Sequence, residues 1–284
     1  MKPVCTLRDG AAMAYADEGA GPALILVHGL GAHAGFFSDL SHRFAASHRV
    51  LTPTLRAHPG SEAGSAPRTI ETLGQDIVDF ADALGLKSFT ALGWSMGAMA
   101  LWAAAPKLGA RLTALIVEDM APRVTNGADW AHGLPGGYND FDIAGTLNEI
   151  RGDWPGYVAR FAPRMFAPAV REARPDLITW ATAEMSKADG APMASYWASM
   201  AAQDFRAALG RITAPMLVIH GADSHYPDEA AEFIAAAAPN ARRVSISGAG
   251  HVPHLEAPDQ FFTNVEAFVR GERRSELRSG GAVP

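Results

Sequence analysis

Gly93-Trp94-Ser95-Met96-Gly97 sets a serine between two glycines, each two residues away. An apolar run, Ser88 to Gly93, leads into it, and a helix-like stretch, Ala98 to Leu108, follows. A strand that turns at once into a helix strains the serine and leaves its hydroxyl at the tip, while small flanking residues let neighbouring backbone pass closely. The helix aims its first amides at the same spot, where developing negative charge can be held. The pattern predicts a nucleophile; an ordinary helix N-cap, worth ~1 kcal/mol, is the plainer alternative.

A serine hydroxyl needs a base. His251 stands in Gly248-Ala249-Gly250-His251-Val252-Pro253-His254, just after the last strand-like run, and its preceding glycines permit a tight loop. His254 competes for the role and is read as structural or pocket-lining. A His-x-x-His metal pair finds no third ligand nearby. The base in turn needs a carboxylate to select its tautomer and steady the imidazolium. Spacing favours Asp223, three residues past the run Met216 to His220. Asp119, beside Glu118 and just past Leu112 to Val117, is the rival and reads more simply as a surface loop carboxylate. His28-Gly29-Leu30-Gly31 follows Ala23 to Val27, where a glycine-rich turn can aim an amide inward. The backbone amides of Leu30 and Met96 are therefore the expected oxyanion donors.

Positioning such groups takes strands that end at one edge. Six short apolar runs, beginning at Ala23, Arg49, Ser88, Leu112, Met216 and Arg243, alternate with helix-like stretches, the pattern of an α/β fold around a mostly parallel sheet with flanking helices. Ile70, Leu73, Ile77, Phe80, Ala81 and Leu84 form one helical stripe that Gly85 can end. Asp259 to Arg270 reads as a terminal helix, and Cys5 to Leu7 with Met13 to Ala16 as a hairpin across Asp9-Gly10. Residues 121–209 break the rhythm. They lack a strand-like run and hold four of the six tryptophans, Trp130, Trp154, Trp180 and Trp197. A helical cap, or lid, is expected there, over a core made of 1–120 and 210–270, with 271–284 a flexible tail. Trp94, His58, Trp130, Trp154 and Trp197 are the expected pocket residues.

Composition removes other classes. The 284 residues are 48% hydrophobic and 19% charged, with a net charge of −6, so a core can form and no basic surface invites nucleic acid or anionic membrane. Cys5 is the only cysteine, which rules out an intramolecular disulfide or a cysteine-rich zinc site. Residues 1–10 lack the apolar stretch of a secretory signal, so a cytoplasmic location is expected. The expected partner is a small-molecule substrate, with no metal and no organic cofactor.

Taken together, the elbow, the His28-Gly29 turn and the order Ser95, Asp223, His251 resemble the α/β-hydrolase fold superfamily, over about residues 4–270. Gly250-His251-Val252-Pro253-His254-Leu255-Glu256-Ala257-Pro258 is similar to its G-H-x-x-x-x-E-x-P histidine loop. The resemblance is to small bacterial carboxylesterases and cofactor-free haloperoxidase-like serine hydrolases. It implies a serine hydrolase cleaving an ester, lactone or thioester of a largely apolar substrate through an acyl-enzyme. Carbon–carbon bond hydrolysis or other chemistry on the same triad, with His58, His132, His225 and Trp94 as possible deciders, is one alternative. A ligand-binding regulator with little turnover is another. Where many members carry D-x-R-G-x-G-x-S, this chain reads Thr54-Leu55-Arg56-Ala57-His58-Pro59-Gly60-Ser61. Ser95 at the elbow argues against the relatives that use an aspartate nucleophile.

Overall fold

A computed structural model describes residues 3–271. The fold opens with β1 (Val4–Thr6) and β2 (Ala12–Glu18), an antiparallel pair with Cys5 opposite Met13. Gly10, at φ 85°, makes the turn between them, a conformation that costs a residue with a Cβ far more. β3 (Ala23–Val27), β4 (Arg49–Pro53), β5 (Phe89–Trp94), β6 (Leu112–Glu118), β7 (Met216–Gly221) and β8 (Ala241–Ile246) run parallel to one another. β2 joins β4 antiparallel, giving the order β1-β2-β4-β3-β5-β6-β7-β8. Each strand lies within two residues of the run that foretold it. β5 and β7 are buried along their whole length, which is why they read as unbroken apolar stretches.

Helices fill the crossovers. α1 (Ser38–Phe44) follows β3, α2 (Ile70–Ala83) follows β4, and α3 (Met96–Leu108) follows β5. The Thr69 hydroxyl caps α2 by accepting from the Thr72 amide, and Gly85, at φ 63°, reverses the chain after it. Between β6 and β7 come α4 (Asp140–Gly152), α5 (Trp154–Phe161), α6 (Pro168–Ala173), α7 (Pro175–Met185), α8 (Gly190–Ala201) and α9 (Arg206–Leu209). α10 (Asp228–Ala237) links β7 to β8, and α11 (Pro253–Glu256) and α12 (Pro258–Val269) end the described chain. α12 packs on α1 through Phe262 and Phe44, whose rings lie 4.6 Å apart. The expected tail at 271–284 lies, from 272 onward, outside the described residues. Among the described residues no helix is long and apolar enough to cross a membrane.

The loop after β4 is held by charge rather than by packing. Arg56 is buried, and its guanidinium makes paired contacts to Asp76 (2.7 and 2.8 Å) and to Asp9 (2.6 and 3.2 Å), with a further bond to the Ala63 carbonyl. All five donors are used, the condition under which a buried guanidinium is tolerated. The Arg56 carbonyl accepts from Tyr196 Oη on α8 (3.1 Å), so this loop also anchors the helical insertion.

Candidate active site

Ser95 occupies the turn between β5 and α3 at φ 54°, ψ −122°, a conformation that costs a non-glycine residue about 1–3 kcal/mol. Its surroundings hold it there. The Ser95 amide donates to the Glu118 carbonyl (3.0 Å), and the Ala98 amide donates to the Ser95 carbonyl (2.9 Å). A Cβ on Gly93 would lie 2.6 Å from the Gly97 carbonyl oxygen, and one on Gly97 would collide with the Val27 and His28 carbonyls. The glycines two residues to either side are therefore required by close backbone passage, as the spacing implied.

The hydroxyl of Ser95 lies 3.0 Å from His251 Nε2, and His251 Nδ1 lies 2.6 Å from Asp119 Oδ2. The carboxylate on the histidine is thus Asp119 and not the expected Asp223. Asp223 is exposed, and its amide is spent on the Ala249 carbonyl (2.9 Å). The reason lies in the sheet order. β6 is the direct neighbour of β5, with Trp94 opposite Glu118, so the residues after them, Ser95 and Asp119, leave the sheet side by side. The chain past β7 reaches the same edge but turns outward by position 223. The structure corrects the reading of Asp119 as a surface loop carboxylate: its side chain is fully buried.

Asp119 is ionised in this setting. Burial alone would raise its pKa, but hydrogen bonds from His220 and His251 hold it well below the usual carboxylate range. His220 Nδ1 lies 2.8 Å from Oδ1, the Gly221 amide donates to the same oxygen (3.1 Å), and Ser224 Oγ donates to Oδ2 (2.5 Å). Bonds to a charged group contribute about 1.5–3 kcal/mol each, so four of them offset the several kcal/mol it costs to bury a carboxylate. With Asp119 charged, the His251 proton resides on Nδ1, and Nε2 is left to accept from Ser95. Asp119 itself sits at φ 46°, a second strained residue at the same sheet edge.

The other half of the site is a pair of amides. Among the described residues neither the Leu30 nor the Met96 N–H donates to a protein acceptor. His28 sets the Leu30 peptide. The Leu55 amide donates to His28 Nε2 (2.9 Å), so the proton is on Nδ1, which donates to the Gly29 carbonyl (2.8 Å). In a trans peptide the following N–H points the opposite way. Burial, reinforced by nearby His58, pushes the His28 pKa well down, which keeps that tautomer neutral. The insertion buttresses the same turn: Gly31, at φ 74°, lies against the Trp154 indole, and His33 Nε2 meets Glu184 Oε2 on α7 at 2.9 Å.

A cavity of about 320 Å³ opens over Ser95. Leu30, Trp94 and His251 line it from the sheet side, and Tyr157, Phe161 and Trp197 from the insertion. Of the expected pocket residues, Trp94 and Trp197 are here. The other three are elsewhere. Trp154 is buried behind the Gly31 turn, its Nε1 donating to the Met185 carbonyl (2.9 Å). Trp130 packs between His132 and Phe233 and borders an adjoining cavity. His58 is buried against His28 and Tyr196, donating from Nδ1 to the Arg56 carbonyl (3.0 Å), with burial pushing its pKa down to about 4. Aromatic composition pointed to a pocket, but which face of each helix meets it is a matter of packing.

His225 and Glu256 also belong to the site. The His225 ring lies 4.2 Å from that of His251, and burial, reinforced by nearby His251, pushes its pKa down to about 3. It therefore adds no positive charge beside the base. The Glu256 carboxylate accepts from the amides on both sides of His251, Gly250 (2.9 Å) and Val252 (3.0 Å), and with its second oxygen from Ala167 of the insertion (2.7 Å). His254 is engaged with Glu118, Nδ1 to Oε1 at 2.7 Å, and does not touch Ser95. Among the described residues no cluster of three or more His, Cys, Asp and Glu side chains could hold a metal ion.

Comparison with known proteins places this arrangement. The chain is 30% identical, over 88% of its length and 96% of the relative's, to a pimeloyl-[acyl-carrier protein] methyl ester esterase of Xanthomonas oryzae pv. oryzae. It is 28% identical, over 88% of its length and 99% of the relative's, to the protein of that name in Aromatoleum aromaticum. An esterase from Exiguobacterium antarcticum superimposes with a TM-score of 0.88 at 22% identity, covering 95% of this chain and 100% of that one, which speaks to the fold. The model of the alpha/beta hydrolase family matches residues 24–264. Running as it does from the first parallel strand into the last helix, that match shows that the chain belongs to the alpha/beta hydrolase family.

Proposed function

We propose that the protein is a serine hydrolase of carboxylic esters that works through an acyl-enzyme, with Ser95, His251 and Asp119 as its triad. The observation that carries the reading is the relay of 3.0 Å from Ser95 Oγ to His251 Nε2 and 2.6 Å from His251 Nδ1 to Asp119 Oδ2. The esterase names of the curated relatives support the same reaction class.

Ser95 Oγ attacks the carbonyl carbon as its proton passes to His251 Nε2. Asp119 steadies the resulting imidazolium, and the amides of Leu30 and Met96 take the negative oxygen of the tetrahedral intermediate. The same proton then goes from Nε2 to the departing alkoxide oxygen, leaving the acyl group on Ser95. Water enters on the His251 side, and its oxygen attacks the acyl carbon as one of its protons passes to Nε2. Nε2 then returns that proton to Ser95 Oγ as the acyl–Oγ bond breaks, which frees the acid and restores the resting enzyme. No step calls for a metal or an organic cofactor. The insertion acts as a lid, and its aromatic walls suit a substrate of modest size and largely apolar acyl part, with lactones and thioesters open to the same attack.

Ser95→Ala tests the reading. Hydrolysis of p-nitrophenyl butanoate should fall to background while circular dichroism is unchanged. Turnover retained by the folded variant would remove Ser95 as nucleophile.

A further inference from the structure

A second cavity, of about 400 Å³, adjoins the one over Ser95 and shares four of its lining residues, Leu134, Pro135, His225 and Tyr226. Asn126, Trp130, Ala131, Ser224, Pro227 and four glycines line the rest of it. We propose that this second cavity is the binding site for the alcohol portion of the ester, and that it takes an apolar alkyl or aryl alcohol larger than methanol. The inference rests on the reaction assigned above and adds which half of the substrate goes where.

Direction follows from the proton. His251 Nε2 takes the Ser95 proton and must deliver it to the leaving oxygen, so that oxygen lies on the His251 side of the reacting carbon. The carbonyl oxygen lies on the side of the Leu30 and Met96 amides, and the acyl chain takes the remaining direction, into the cavity walled by Trp94, Tyr157 and Trp197. Against His251 stand the rings of His225 (4.2 Å) and Tyr226 (5.7 Å), both of which line the two cavities in common. A substituent on the leaving oxygen is therefore sent towards His225 and Tyr226 and the second cavity that they also line. Trp130 Nε1 is committed to the Arg123 carbonyl, Asn126 Nδ2 to the Leu134 carbonyl and Ser224 Oγ to Asp119, so a ligand there meets chiefly ring faces, prolines and glycine backbone.

The test measures kcat/KM for butanoate esters of methanol and benzyl alcohol, and for methyl esters of butanoic and octanoic acid. The full chain is compared with Ala131→Trp and, separately, Gly127→Leu, both of which add bulk to the second cavity. Ala131 is exposed, and a Cβ on Gly127 meets nothing nearer than the end of the Arg123 side chain, at 3.2 Å. The unaltered protein should favour benzyl over methyl butanoate by about tenfold, and each variant should reduce that ratio by about tenfold, the scale on which a filled apolar subsite discriminates. The octanoate-to-butanoate ratio should hold within about twofold. Ratios do not depend on how much of a variant folds. A benzyl-to-methyl ratio unmoved in both variants, or one that falls together with the acyl ratio, overturns the assignment while leaving ester hydrolysis standing. Failure of the unaltered protein to cleave any of these esters, with no fluorophosphonate labelling of Ser95, overturns the hydrolase reading and this inference with it.

Discussion

His220 Nδ1 lies 2.8 Å from Asp119 Oδ1, on the opposite oxygen from the one that meets His251. One buried carboxylate thus carries two imidazoles, and only the second reaches Ser95. The first comes from the end of β7, the strand next to β6, and fixes the rotation of the carboxylate so that Oδ2 faces the base.

Asp119→Asn should lower kcat/KM by about 10⁴-fold, because an amide at this place favours the wrong tautomer of His251. Asp223→Asn should stay within about twofold, since Asp223 is exposed and stands away from the ring. Steady-state kinetics on one p-nitrophenyl ester decides between them, and a large loss in Asp223→Asn would transfer the orienting role.

Stability should show the same carboxylate. Its folded pKa is depressed, so its contribution is fully present above the unfolded value, about 3.9, and is lost as pH falls towards the folded one. The advantage of the unaltered protein over Asp119→Asn in urea unfolding should be fully present at pH 5. Below about pH 4 it should shrink, by up to about tenfold in the folding equilibrium per pH unit. An advantage that does not change down to pH 3 would mean that the fold does not lower the Asp119 pKa.

Glu256→Gln should lower kcat by about 10–100-fold and change KM much less, the scale of a small misplacement of a catalytic group. One carboxylate oxygen serves Gly250 and Val252 and the other serves Ala167, so the amide group of Gln must point at a backbone N–H on one side or the other. Burial raises the Glu256 pKa, partly countered by those amides. The fluorophosphonate labelling rate of Ser95 should fall with kcat, which a loss of stability alone would not produce in the folded fraction.

His28→Ala should cost about 10²-fold in kcat, comparable to loss of an oxyanion donor. It removes the bond to the Gly29 carbonyl and with it the restraint on the Leu30 peptide. The Met96 donor remains, so activity should not vanish. Binding of a product acid, measured by calorimetry, should change little.

Ser95, Gly93, Gly97 and His251 were legible because their chemistry is local: a strained turn needs its glycines within two residues, and a histidine loop needs its own. The strands were legible because burial on both faces demands continuous apolar runs. Asp119 was not, because its partner is 132 residues away and meets it only through the lateral order of β5, β6 and β7. The clue in the chain was slight: an acidic residue directly at a strand end, where no loop intervenes to carry it off.

What the amino-acid order determined by itself was the strained serine turn, the histidine loop, the glycine turn of the Leu30 amide and the alternation of strands and helices, all set by neighbours along the chain. What the tertiary structure decided was which carboxylate faces the base, which aromatic rings of the insertion face the cavity and which lie behind it, and that Glu256 ties His251 to Ala167. Each of these depends on pairings between elements far apart in sequence, where sheet order and helix rotation are settled by packing the whole core at once.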